Sequence, residues 1–208
     1  SDFIEHMENR TMAVHPMIGF VGDASRTIEE TSSNIDAHKT NLIFEGGAVF
    51  RDYRMVGRLN ARQLVLYNLL EGEKGQHAFQ FPIGGTPVTV FFKTLRLERT
   101  VKRTQDKPVV SFRLDLELNS VYSSEHVPQT IEQIRRYERA VERSFQNAMR
   151  SFYEMSKKRE WDLLHIRDLL LKHTLATPSN VDTVVKETEV EFIIRAKLKL
   201  TGGMRQIY

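Results

Sequence analysis

Between residues 110 and 118 every second residue is apolar. Val110, Phe112, Leu114, Leu116 and Leu118 alternate with Ser111, Arg113, Asp115 and Glu117. Successive side chains of a strand point to opposite faces, so this segment has one dry face and one charged face. The same pattern returns near the end of the sequence. There Val190, Phe192, Ile194, Ala196, Leu198 and Leu200 alternate with Glu189, Glu191, Arg195, Lys197 and Lys199. Two such strands demand a sheet that is covered on one side and wet on the other, a hallmark of antiparallel sheets.

The cover is written between them. Pro128 opens a helical stretch, in the first turn where a missing N–H is tolerated. Ile131, Ile134, Val141, Phe145, Ala148, Met149, Phe152 and Met155 then recur at intervals of three and four or their sums, an apolar stripe of helical period. Glu132 with Arg136, and Arg139 with Glu142, have the spacing of ion pairs on its outer surface. A bend at 157–159 leads to a second helix over 160–173, with Leu163, Leu164, Ile166, Leu169 and Leu170 as its buried side. Pro178 prevents its continuation.

Two further strands precede this block. Phe79, Phe81 and Ile83 alternate with Ala78, Gln80 and Pro82 up to Gly84-Gly85, and Val88, Val90 and Phe92 alternate with polar or outward residues. The phase slips at Leu95 and Leu97, which predicts a bulge or strong twist near Thr94. Residues 105–108 form the hairpin tip. The order over 76–208 is β-β-β-α-α-β. The fold class is therefore α+β: an antiparallel sheet of about four strands packed on a long helix and a second, shorter one.

Residues 1–75 read as a smaller α+β unit. Residues 15–21 form a short strand, and 22–40 a long polar loop. Residues 42–50 are strand-like with a glycine interruption at Gly46-Gly47 that marks a bulge or a close backbone approach, 51–54 form a turn, and 55–59 return as a second strand. Asn60 is placed to cap a helix over 61–70, with Gln63 to reach back to it and Gly72 at its end.

Composition excludes several functions. With 40% hydrophobic and 27% charged residues the chain is globular rather than disordered. Its net charge of +3 is too small, and its basic residues too interspersed with acids, to argue for nucleic acid. The most basic segment, Arg96 to Lys107, reads as a solvated hairpin tip, with anionic headgroups or an acidic partner as the second reading. There are no cysteines, so thiol catalysis and cysteine-ligated metal are excluded. No run approaches the roughly 18 apolar residues a spanning helix needs. If the protein is secreted or anchored, its signal lies outside this sequence.

No catalytic set emerges. Ser123, Ser124 and His126 are close in sequence but lack a third partner and read as turn chemistry. Asp162 and His165 are three apart on a helical face, too few for a metal site. Asp115 and Glu117 fall on the wet face of a strand, where a pair of acids has no cleft to work in. The glycine doublets have no phosphate-loop spacing. No cofactor, metal or catalytic residue is assigned. Trp161 is either a packing anchor or an interface residue.

One segment carries a resemblance. Gly46-Gly47-Ala48-Val49-Phe50, a charged turn at Arg51-Asp52-Tyr53-Arg54, and Met55-Val56-Gly57-Arg58-Leu59 resemble the Ger(x)C family of spore germination lipoproteins. The family pattern continues through the helix at 61–70, the long strands, the charged helix, Asp162 and a closing strand ending at Thr201-Gly202, so that it spans residues 41–208. The resemblance implies the C subunit of a nutrient germinant receptor, a non-catalytic component acting in assembly and signalling. It implies integral-membrane A and B subunits as partners, and an N-terminal lipid anchor not contained in this sequence. It places the protein on the outer face of the spore inner membrane. A nutrient-sensing, small-molecule-binding domain is the alternative. The residues assigned to partner contact are Met55, Val56, Gly57, Leu59 and Trp161, together with the outer face of the helix over 128–158.

Overall fold

The computed structural model describes residues 12–21, 41–83, 86–104, 107–123 and 130–199. The expected loop over 22–40, the turns at Gly84-Gly85 and Gln105-Asp106, Pro128 and the closing Gly202-Gly203 lie outside them. The chain divides into two compact units, 1–64 and 65–208.

The first unit holds a three-stranded antiparallel sheet in the order β1 (Met12–Val21), β2 (Asn41–Arg51), β3 (Arg54–Leu59). The bulge expected at the glycine doublet is present. Met17 pairs with Gly46 but Ile18 pairs with Phe44, so Glu45 is the extra residue. Gly46 sits beside it at φ +123°, and a Cβ there would run into the Leu59 carbonyl oxygen. Only glycine fits such a backbone so close to a second strand. A second bulge at Val56 interrupts β3. β2 and β3 are joined by Asp52 and Tyr53, both at positive φ (47° and 65°). Two such residues make the tight turn whose twist matches a hairpin.

Helix α1 (Ala61–Glu71) begins in this unit and ends in the second. Its start is capped as the sequence predicts: Gln63 N–H donates to Asn60 Oδ1 at 2.8 Å, and Asn60 N–H to Gln63 Oε1 at 2.9 Å. Gly72, at φ +81°, ends it.

The second unit is built on a four-stranded sheet ordered β4 (Gln76–Ile83), β5 (Thr86–Arg103), β6 (Pro108–Ser123), β7 (Glu189–Leu198). The bulge expected near Thr94 is at Leu95: Thr94 pairs with Leu116 and Arg96 with Asp115. One expectation is corrected. β7 lies parallel to β6, with Val110 beside Val190 and Leu118 beside Leu198, so the sheet is mixed and not antiparallel. Residues 124–188 return the chain to the end where β6 began, and a strand starting there runs parallel. Alternation fixes which side chains face inward but is indifferent to strand direction.

Helix α2 (Ile131–Lys158) packs across β4 and β7. It starts at Ile131 behind a reciprocal cap between Thr130 and Gln133. Phe145 is the centre of the core, with ring centroids 5.1 Å from Phe79, 4.7 Å from Phe81 and 5.0 Å from Phe92. The second helix is shorter than predicted, α3 (Ile166–Lys172), because Glu160 and His165 adopt left-handed backbone and break the run. Leu163 and Leu164 are buried all the same. A short helix the periodicity did not reveal, α4 (Val181–Glu187), follows before β7.

Candidate interaction surfaces

The residues assigned to partner contact separate into two groups. At the β2–β3 hairpin, Met55 is 45% and Val56 41% exposed, and Gly57 is half-buried. Leu59 and Trp161 are buried, at 1% and 7%. Trp161 is a packing anchor in the turn after α2. The Arg159 guanidinium covers its ring at 4.7 Å, and its carbonyl accepts the Ser156 hydroxyl at 2.6 Å.

Sequence reasoning missed the neighbour that completes the exposed group. Tyr53, in the turn itself, is 67% exposed. Glycine or asparagine is the ordinary occupant of a positive-φ turn position. A large aromatic there carries backbone strain, and strain of this kind collects at functional positions. The bulge at Val56 adds to the effect by breaking the inward–outward alternation of β3. Tyr53, Met55 and Val56 therefore form an exposed apolar run, flanked by exposed Arg54 and Arg58.

Asp162 and His165 each meet other partners. The Asp162 carboxylate accepts the Ile166 N–H at 2.8 Å and the Arg167 N–H at 3.1 Å, capping α3. Burial pushes its pKa up, against the lowering effect of these two hydrogen bonds. His165 Nε2 lies 3.3 Å from Glu71 at the end of α1. Arg99 of β5 reaches the same place, donating to the Leu70 carbonyl and lying 4.0 Å from Glu71. Among the described residues no group of three or more potential ligands could hold a metal ion. Ser124 and His126 lie outside the described residues.

The open face of the large sheet is a ladder of charges. Glu117 sits between Lys93 at 3.1 Å and Lys199 at 3.5 Å, and its carboxyl is lowered first by the Lys93 hydrogen bond. Glu98 lies between Arg96 at 3.4 Å and Arg113 at 3.6 Å. Lys107 meets Glu189 at 2.7 Å. Much of the basic segment from Arg96 to Lys107 is thus paired within the unit.

On α2 the expected ion pairs are replaced by something else. Glu142 does not face Arg139; its Oε1 accepts the Ala196 N–H of β7 at 3.0 Å. Glu138 accepts the Leu198 N–H at 3.0 Å and meets Lys197 at 3.3 Å. No Glu132–Arg136 pair forms among the described ion pairs. Two glutamates one turn apart thereby satisfy the outer amides of an edge strand, the groups that a sheet must cover to avoid adding a foreign strand. No helix among the described residues is long and apolar enough to cross a membrane.

The comparisons agree with this architecture. The crystal structure titled for the GerBC protein superposes with a TM-score of 0.61 at 15% identity, over 76% of this chain and 52% of that one. That likeness is one of fold, and the chain spans about half the length of the solved protein. No curated protein matches in sequence. Residues 45–202 match the family described as spore germination B3/GerAC-like, C-terminal, and the chain belongs to that family.

Proposed function

We propose that this chain is the C-terminal region of a non-catalytic lipoprotein subunit of a spore nutrient germinant receptor. In this reading it acts in receptor assembly and germination signalling on the outer face of the spore inner membrane. The family match over 45–202 is the observation that carries the reading. The integral-membrane A and B subunits are its partners. The β2–β3 hairpin tip is the contact proposed for them: Tyr53, Met55 and Val56 offer an apolar centre with an arginine rim, the arrangement in which a few buried anchors hold an interface. Leu59 contributes by fixing the strand from inside, and Gly57 by its position in the bulged strand.

The test is nutrient germination of spores lacking the gene, followed by loss of optical density, with calcium dipicolinate as the receptor-independent trigger. Loss of the nutrient response alone supports the reading; loss of both responses refutes it. In a complemented strain, Met55→Asp with Val56→Asp should lower nutrient germination while the protein remains at its normal level. An unaltered response in that strain would remove the hairpin tip from the interface. Saturable binding of amino acids or sugars by the isolated chain would instead favour direct nutrient sensing.

A further inference from the structure

Helix α2 carries seven basic and four acidic residues, so this one element accounts for a charge equal to the +3 of the whole chain. The packing makes its outer side more basic than that count. Glu138 and Glu142 are turned onto the β7 edge and hydrogen-bonded there. Exposed on the solvent side are Arg135, Arg136, Arg139, Arg143 and Arg150, against Glu132 and Glu154 near the two ends. At helical spacing the five arginines fall within an arc of about 100° and run along about 22 Å of the axis. Arg139 and Arg143 each rest Nε on the carbonyl one turn back, at 3.3 and 3.2 Å, which orders their stems along the helix.

This row differs in kind from the hairpin tip. Among the described residues its one exposed large apolar neighbour is Ile131, at the start of the helix. Protein interfaces concentrate their energy in aromatic and arginine anchors seated in desolvated pockets; here the arginines lie on an open helix face, with no exposed aromatic of α2 among them. What it has is guanidinium groups, whose planar forks match phosphate oxygens in a way lysine does not. A straight, shallow line of such groups fits a flat array of phosphates. We propose that the outer face of α2 docks on an anionic phospholipid surface, with Arg135, Arg136, Arg139, Arg143 and Arg150 contacting headgroup phosphates. This goes beyond the receptor-subunit reading and is tested without spores or receptor, so the two can fail separately.

The experiment is co-sedimentation of the 208-residue chain with vesicles of phosphatidylcholine containing about a third phosphatidylglycerol, beside vesicles of phosphatidylcholine alone. Binding is expected to the anionic vesicles only, and to weaken as salt shortens the screening length. The triple variant Arg139→Gln, Arg143→Gln, Arg150→Gln keeps good helix formers at exposed positions. It should lower partitioning roughly 100-fold, at about fivefold per charge. The control Lys172→Gln, Lys186→Gln, which removes two exposed charges from α3 and α4, should bind as the unmodified chain does. Equal binding to neutral vesicles, an unaffected triple variant, or an equal loss per charge in the control would each overturn the proposal. Tighter capture by polyglutamate or by duplex DNA at matched charge would also overturn it, in favour of an acidic protein or a nucleic acid. Salt dependence of the unmodified chain supplies a readout that needs no variant at all.

Discussion

The Glu138 carboxylate of α2 accepts the Leu198 amide of β7 at 3.0 Å, joining a helix side chain to the outer edge of a sheet. Glu142, one turn on, does the same for Ala196. Removing one acceptor leaves a part-buried amide without its partner, which costs about 1–3 kcal/mol. Glu138→Ala should therefore lower the unfolding free energy by that amount, read from the shift of the urea midpoint, and the double variant with Glu142→Ala should form higher-order species on sizing as the edge opens. Glu138→Gln keeps an acceptor oxygen and should lose less. A stability unchanged in Glu138→Ala would show that water replaces the carboxylate at no cost.

Phe145 touches three other rings at the centre of the second unit. Its truncation to alanine removes a fully buried ring from a site walled by two strands and cannot be repaired by local collapse. Phe145→Ala should destabilise by about 3–5 kcal/mol, measured by chemical denaturation, and Phe145→Leu by clearly less.

Asp162 has a carboxyl raised above its ordinary 3.8, and burial is the largest cause. The folded state then holds that proton more tightly than the unfolded state. Its contribution to stability is fully present below 3.8 and is lost as pH rises through the raised folded value. Asp162→Asn keeps a capping oxygen but cannot titrate. The stability difference between the two proteins should shift in favour of the variant as pH rises through that window. Asp162→Ala should cost about 1 kcal/mol from loss of the cap. A pH-independent difference between Asp162→Asn and the parent would mean the group titrates as it does in water.

Tyr53 holds φ at 65° in a two-residue turn. Glycine adopts that conformation without the Cβ penalty of about 1–2 kcal/mol. That gain outweighs the roughly 0.5–1 kcal/mol of extra backbone entropy glycine loses on folding, so Tyr53→Gly should stabilise the hairpin by roughly 0.5–1 kcal/mol. Thermal melting would register the gain. The same substitution removes the exposed ring from the proposed receptor contact and should reduce nutrient germination. Greater stability with weaker function is the signature of strain kept for binding.

Where side-chain period and cap chemistry were sufficient, the fold was legible in the sequence. The stripe through Val141, Phe145 and Met149 located α2, and the alternation over Val110–Leu118 located β6. Asn60 with Gln63 marked the start of α1, and the slip at Leu95 marked the bulge. What escaped depended on tertiary context. The direction of β7 leaves no trace in its alternation. α4 is a single short element with one buried residue, Val181, too brief for periodicity to show. His165 entered left-handed backbone and shortened α3, a choice that a histidine in sequence does not announce. At the candidate surface, Met55 and Val56 could be named from the family-like segment. Tyr53 could not, because what sets it apart is a backbone angle and the exposure of its ring. Glu138 and Glu142 looked like ordinary members of a charged helix face; only the position of β7 shows which way they turn.

The parallel entry of β7 has a consequence for the order of assembly. β6 lies between β5 and β7, so until β7 arrives one side of it has no sheet neighbour. That neighbour lies beyond residues 124–188, and the glutamates that seal the finished edge belong to this same intervening segment. Such long-range closure is slow relative to a hairpin. During that interval the strand with the most regular apolar face presents bare amides to any passing chain. Folding of this unit should therefore run from β4–β6 outward. The step most exposed to aggregation is the docking of the last strand, and α2 shortens that danger by bringing both a cover for the apolar face and the caps for the edge that replaces it.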